Sequence, residues 1–411
     1  MQNLNSLFVL GTTLLWANTT AAQQLQLAAT VPVAAGPLGV AAGPNAAYLA
    51  NFGDNTLRVY DTSIPTAPVL RSSVSTTIQR ARAVVSAGTI AYVTGYGTGL
   101  PTTHNIAAFN VSNPATPVLV RTVTLSGMPT NVAATTSLVC TISRPLTVGA
   151  ASTLYIYDAS LQELGTATLS DTPLALAVSG TTAYVLASNS TATIESLQVI
   201  DLSAPATPVV RATIPLGATN AGVSPRVLVR GTTVYTSNSL GTKIIDLSSL
   251  SAPVLTSTSD FLRALSGTYA VGFRTGNLQV FDIRNPAAPA LVTSAPVTNS
   301  ADAAASDGVI YTINSTGLQI FQYTPVLSNI RPSREAEYTI WPNPAAGDQV
   351  ELALQASARS TEVVLLNGVG QELQRTTIAP GTVHYTLDIS HLPAGLYMVG
   401  CNTSVQRFLR H

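Results

Sequence analysis

Charge is scarce in this chain: Asp, Glu, Lys and Arg together make up 9% of its 411 residues, the two signs balance at 19 each, and Lys243 is the sole lysine. A protein that neutralises nucleic-acid phosphates normally carries a basic stripe, so no nucleic-acid partner is expected. Cysteine occurs twice, at Cys140 and Cys401. That is too few for a disulfide framework and reads as two separately buried thiols. Of four histidines, His384, His391 and His411 lie near the C-terminus, leaving His104 alone in the long N-terminal part. No histidine cluster can then hold a transition metal, and a histidine-assisted nucleophile has a single base to draw on. No serine stands in a G-x-S-x-G elbow and no phosphate-binding glycine motif precedes a helix, so neither metal nor cofactor is expected.

Long apolar runs are also missing, which argues against a transmembrane helix. The nearest approach is "MQNLNSLFVLGTTLLWANTTAAQQ", where Leu7 to Trp16 form a short apolar stretch before small residues. This pattern predicts a secretory signal peptide over residues 1–22. The Lys or Arg that usually precedes such a run is absent, which points to a start further upstream.

What the chain has in plenty is strand-forming material: 46% hydrophobic residues, a mean hydropathy of +0.32, and many Val, Thr, Ser and Ala. It also has a repeat. The cassette "SLQVIDLSAPATPVV" (Ser196 to Val210) recurs with its anchor at Asp61, Asn110, Asp158, Asp201, Asp246, Asp282 and Gln322, at spacings of 49, 48, 43, 45, 36 and 40 residues. A period of this size suits propeller blades. Within Thr172 to Gly217, "LALAVS", "TAYVLAS", "SLQVIDL" and "PVVRATI" read as four strands separated by turns. Ser203, Pro205 and Pro208 after the anchor break the ladder, and Asp201 and its equivalents are expected to bond nearby backbone N–H groups and hold that corner. The final copy lacks an outer strand, whereas Leu25 to Val33 form an orphan one. The N-terminal strand should therefore complete the last blade and close the ring. The expected fold is all-β: a seven-bladed β-propeller over residues 23–324.

Counting six residues back from the turn after each innermost strand gives the ring at the channel mouth. It comprises Pro37, Arg82, Asn131, Leu174, Pro225 beside Arg226, Phe261 near Arg263, and Asp302. Arg82, Arg226 and Arg263, with Asn131 and Asp302, make a candidate site for a carboxylate, sulfate or phosphate, because a guanidinium fork matches such anions. The alternative is a set of solvated rim charges, since a slip of one residue turns a strand side chain to the other face. Asp302 and Asp307 stand at opposite ends of one strand, so they do not form a paired-carboxylate site. "NFGDNT" (Asn51 to Thr56) has oxygens that suit calcium but reads more simply as a turn. Long loops at Gly95 to Asn105, Ser143 to Ser152 and Ala187 to Ser196 make blades two to four the better candidates for a partner surface.

Residues 325–337 are rich in proline and charge and read as a linker. From 338 to 411 the pattern alternates over six or seven short strands, with turns at Asn367-Gly368, Pro380-Gly381 and Pro393-Ala394-Gly395. That predicts a small Ig-like β-sandwich.

Two resemblances follow from these residues. "SLQVIDLSAPATPVV" resembles the LVIVD repeat of secreted bacterial propellers, and "AYLANFGDNTLRVYDTS" is similar to the YVTN repeat of surface-layer-type propellers. The C-terminal block resembles the type A sorting domain of the type IX secretion system of Bacteroidota. Its matching residues are Trp341, Pro342, Asn343 and Pro344 in "WPNP", Asn367 and Gly370 in "LLNGVGQEL", then Asp388, Leu392, Pro393, Gly395 and Tyr397 in "LDISHLPAGLYMV", and the closing "RFLR". The resemblance implies export to the periplasm, passage through the outer membrane by the type IX secretion machinery, removal of the sorting domain, and release or attachment to surface polysaccharide. The expected function is a secreted or cell-surface binding module without a catalytic constellation, its ligand an extracellular glycan or protein. Two alternatives stand beside it: a hydrolase or lyase acting on an acidic glycan or lactone at the channel mouth, and a purely structural envelope protein.

Overall fold

The computed structural model describes residues 24–324 and 338–410, apart from 35, 97–103, 146–149, 190, 219–224, 239–240, 299, 301, 355–359, 368–370 and 402–403. The expected signal peptide, the linker and Gly370 lie outside the described residues. The rest falls into two compact units, one of them Leu25–Thr324.

That unit is built from seven four-stranded sheets. Six take four consecutive strands, as in blade four with Thr172–Ser179, Thr182–Ser188, Ile194–Asp201 and Val209–Ala218. The seventh takes Asp302–Ser306, Val309–Asn314 and Gly317–Thr324, and its outer strand is Gln24–Pro32 from the other end of the chain. The Val33 N–H continues the join by donating to the Thr316 carbonyl at 3.0 Å. Closure of this kind removes the open sheet edge at the first and last blades.

Crowding at the axis explains the small residues of the innermost strands. A Cβ on Gly39 would stand 2.7 Å from the Arg82 carbonyl oxygen of the next blade. The hydrophobic core accordingly lies between blades, in clusters such as Leu138, Cys140, Ile142, Leu154 and Ile156 with Leu176 and Val185. Cys140 and Cys401 are both buried thiols outside any disulfide, and burial pushes Cys140 up to about 12.

The recurring anchor is a corner device. The backbone N–H groups of Ser63, Ser112, Ser160, Ser203, Ser248 and Arg284 donate to Oδ1 of Asp61, Asn110, Asp158, Asp201, Asp246 and Asp282 at 2.8–2.9 Å. Such local side-chain bonds offer the backbone a turn in place of the ladder. Arg71 and Arg211 are left without a ladder partner by β-bulges in their outer strands, and each turns its guanidinium onto the anchor, with Nη2 2.6 Å from Asp61 and Asp201 respectively. Re-aiming a side chain is what a bulge does.

These bonds have a pH signature. The Ser63 N–H and Arg71 hold Asp61 at about 2, and the Ser203 N–H and Arg211 hold Asp201 at about 2, both below the ordinary carboxylate value near 3.8. A carboxylate depressed in the folded state contributes stability that is present above its unfolded value and lost as pH falls through its folded one. Thermal melts between pH 5 and 2 should therefore show Tm falling most steeply from about pH 4 to about pH 2, with a shallower fall in an Asp61→Asn, Asp201→Asn variant.

Tyrosines on second strands tie successive blades together. Tyr92 donates to the Ala159 carbonyl at the corner of blade three, and Tyr235 to the Pro286 carbonyl at that of blade six, at 2.8 and 3.3 Å. Tyr311 of blade seven shares a 2.6 Å bond with Thr62 at the corner of blade one. Each aromatic ring fills the interface while its polar tip finds a partner.

The second unit, taken by itself, is a two-sheet sandwich. One sheet pairs Tyr338–Trp341, Gln349–Leu354 and His384–Asp388; the other orders Glu372–Ile378, Thr361–Asn367, Gly395–Cys401 and Ser404–Arg410. Val350, Leu352, Val363, Leu365, Leu387 and Val399 meet in its core. The seven strands match the alternating pattern read from the sequence.

Candidate functional site

The channel mouth is where the innermost strands begin, and the structure brings three of the five expected residues together there. Arg226 opens the innermost strand of blade five, Arg263 sits in that of blade six, and Asp302 opens that of blade seven. Arg226 Nη2 is ion-paired with Asp302 Oδ1, which also accepts the Ala303 N–H at 2.9 Å. Arg263 is 8% exposed and Asp302 4%. Burial pulls the Arg263 guanidinium below its ordinary value, the neighbouring Arg226 charge adds to that, and Asp302 opposes both. Two guanidiniums thus stand close together in a partly desolvated setting, where an anion is bound more strongly than in open water. The pair fixes the Arg226 guanidinium against Asp302, so that Asp302 positions it.

Arg82 and Asn131 do not join this group through any hydrogen bond or ion pair among the described residues. Arg82 is exposed, and the Asn131 carbonyl accepts from Thr141 at 2.8 Å. They stand in blades two and three, whereas Arg226, Arg263 and Asp302 stand in blades five to seven. In five innermost strands one residue lacks a ladder partner: Leu38, Arg82, Thr130, Leu174 and Arg263. Counting back from the turn therefore reaches the bulge at Arg82 and Leu174, misses it by one at Pro37 and Asn131, and overshoots it by two at Phe261. An extra residue of this kind changes which side chain turns to the axis.

A second charged pair was not evident in the sequence. Glu195, 1% exposed, opens onto the same end of the propeller in blade four, with Lys243 Nζ of blade five 3.3 Å away. The only signal for it was the isolation of Lys243 as the one lysine. "NFGDNT" is a turn in which Asp54 accepts from Thr56 and Arg58 at 2.7 Å each. The expected long loops of blades two to four fall in part outside the described residues, at 97–103, 146–149 and 190.

In the sandwich the motif residues are structural fasteners. Asp388 accepts the Ser390 N–H at 2.8 Å, Leu392 is buried, and the Tyr397 hydroxyl donates to the Pro393 carbonyl at 2.8 Å. Asn343 clips the last strand by donating to the Arg407 carbonyl and accepting the Leu409 N–H. Pro342 and Pro344 flank Asn343, and Gly395 opens the strand that carries Tyr397.

Comparisons with known proteins agree with this division. The model of the secretion system C-terminal sorting domain matches residues 339–410, and that of the LVIVD repeat matches 39–76 and 264–296. Among solved structures, the WD40 beta propeller domain of Doa1 is 12% identical with a TM-score of 0.50, over 73% of this chain and 97% of that one. Saccharomyces cerevisiae Sqt1 is 10% identical with a TM-score of 0.48, over 72% and 98%. No curated protein matches the chain. At these identities the structural likeness shows the fold alone. The chain is thus an all-β protein of the propeller class. More particularly, it carries LVIVD repeats and a secretion system C-terminal sorting domain, and the latter marks it for type IX export to the cell surface or the extracellular space.

Proposed function

We propose that the chain is a secreted or surface-displayed binding module that holds an anionic ligand, of the acidic-sugar class, at the propeller mouth. Removal of residues 1–22 precedes passage through the periplasm, the propeller of residues 23–324 is the displayed part, residues 325–337 link it to the sorting domain of 338–411, and surface polysaccharide is the anchoring partner. The observation that carries the reading is the buried Arg263 beside the Arg226–Asp302 pair, contributed by three successive blades. Two guanidinium forks on neighbouring blades, one of them buried, match the planar carboxylate of an acidic sugar. A non-enzymatic role is supported by the matched families, which name a repeat and a sorting signal but no enzyme.

A thermal-shift series on the full chain tests this reading with glucuronate, glucose and calcium as probes. Binding to the native state raises Tm by mass action, by about 2.7 kcal/mol of added stability at a hundredfold excess over Kd. The expected result is a rise with glucuronate alone that disappears in an Arg226→Ala, Arg263→Ala variant. No rise with glucuronate, or an equal rise in the variant, overturns it.

A further inference from the structure

The blade corners are alike enough that a departure stands out. Four residues after the anchor, the corner holds Pro65, Pro114, Pro205 and Pro286 in blades one, two, four and six. These prolines meet the preceding blade: the Pro114 carbonyl accepts from Ser72, and the Pro286 carbonyl from Tyr235. The corners of blades three and five have Gln162 and Leu250 instead. Facing Leu250 across the interface, Tyr184 of blade four occupies the second-strand place that Tyr92, Tyr235 and Tyr311 occupy elsewhere. Its hydroxyl makes no bond to blade five among the described residues and interacts with Thr182 of its own strand. The interface of blades four and five thus has neither the corner proline nor, among the described residues, a tyrosine bond to the next blade.

At that interface lies a cleft of about 370 Å3, lined by Tyr184, Leu247, Leu250, Thr232, Asp201 and Arg211 among others. Small-molecule sites span roughly 300–1,000 Å3, so the space suits one small molecule. It opens at the corner end of the blades, opposite the mouth where Arg226 and Asp302 begin their strands. Its chemistry is mixed. The Asp201–Arg211 pair offers a fixed acceptor beside a planar donor fork, Thr232 adds a hydroxyl, and Tyr184 with the two leucines supplies an apolar wall. Arg211 is half exposed, with its Nε and Nη2 both spent on Asp201, which leaves the pair without net charge.

We propose that this cleft between blades four and five binds a neutral pyranose sugar, a second site distinct from the anionic one at the mouth. A pyranose presents alternating hydroxyls on its rim and C–H groups on its faces. The rim hydroxyls donate to Asp201 and accept from Arg211 and Thr232, while a C–H face packs on the Tyr184 ring. A neutral ligand fits because the charges here already cancel, and a carboxylate would face Asp201.

Saturation-transfer NMR on the full chain, with the methyl pyranosides of glucose, galactose, mannose and N-acetylglucosamine as probes, tests the proposal. At least one is expected to receive saturation and to bind at least tenfold more weakly to Tyr184→Ala. Leu250→Trp, which fills the cleft without deleting any group, should abolish the signal, while Arg226→Ala at the mouth should leave it unchanged. Transfer to none of the four, or transfer unaltered by Leu250→Trp, overturns the proposal. Loss of transfer in Arg226→Ala places the sugar at the mouth and also overturns it. A failure of glucuronate at the mouth leaves these outcomes untouched, so the two readings fail separately.

Discussion

Deleting Gln24–Pro32 should lower the Tm of the propeller by more than about 10 °C and make it aggregate on heating. The strand is the outer member of blade seven. Ala28, Ala29 and Val31 pack, with buried Val33 just beyond them, on the cluster of Tyr311, Ile313, Leu318 and Ile320. Burying one valine contributes about 1.5–3 kcal/mol. Loss of several such side chains, together with a complete hydrogen-bonded ladder, removes on the order of 5 kcal/mol or more. The Gly317–Thr324 strand then becomes a bare edge, and unpaired edges recruit other chains. Differential scanning calorimetry with light scattering measures both effects. An unchanged melt would mean that the ring is held closed without its N-terminal strand.

The second large effect is expected at Asp302. Replacing it by alanine removes the carboxylate paired with Arg226 and the one counter-charge that opposes the Arg226 charge at the buried Arg263. Removing one partner of a buried pair typically costs about 3–5 kcal/mol, and the partial exposure of Arg226 places this case at the low end, at about 3 kcal/mol. Chemical denaturation should report that loss. The same variant should bind glucuronate more tightly than the native chain, since the internal competitor for the two guanidiniums is gone. Addition of the anion should recover part of the lost stability by linkage. A stability loss with no gain in anion affinity would assign the trio a purely structural role.

Fold and delivery were legible in the sequence because they rest on period and punctuation. The anchor at Asp61 and its copies recurs, and the matched deficits at Leu25–Val33 and in the last blade pointed to closure as it occurs. The "LDISHLPAGLYMV" stretch was legible for the same reason, since Asp388, Leu392 and Tyr397 each perform a local task that fixes residue type and spacing. The mouth was legible only in part. Arg226, Arg263 and Asp302 were named, but Arg82 and Asn131 stand on blades two and three and do not join them, and the count gave residue types at the ring without saying which blades' side chains meet. The ties made by Tyr92, Tyr235 and Tyr311 were overlooked although their signal was present: a tyrosine recurs at the same second-strand place in Tyr48, Tyr92, Tyr184, Tyr235 and Tyr311. The bulged Arg71 and Arg211 gave no such signal, since a bulge depends on how two strands pair and not on either alone.

The central claim is that the mouth is an anion-binding surface, and calorimetric titration of glucuronate into the full chain at low and high salt tests it most directly. The account predicts saturable binding that weakens as ionic strength rises, loses at least tenfold in affinity in Arg263→Met, and strengthens in Asp302→Ala. Absence of binding at low salt, or binding indifferent to Arg263→Met, would contradict it.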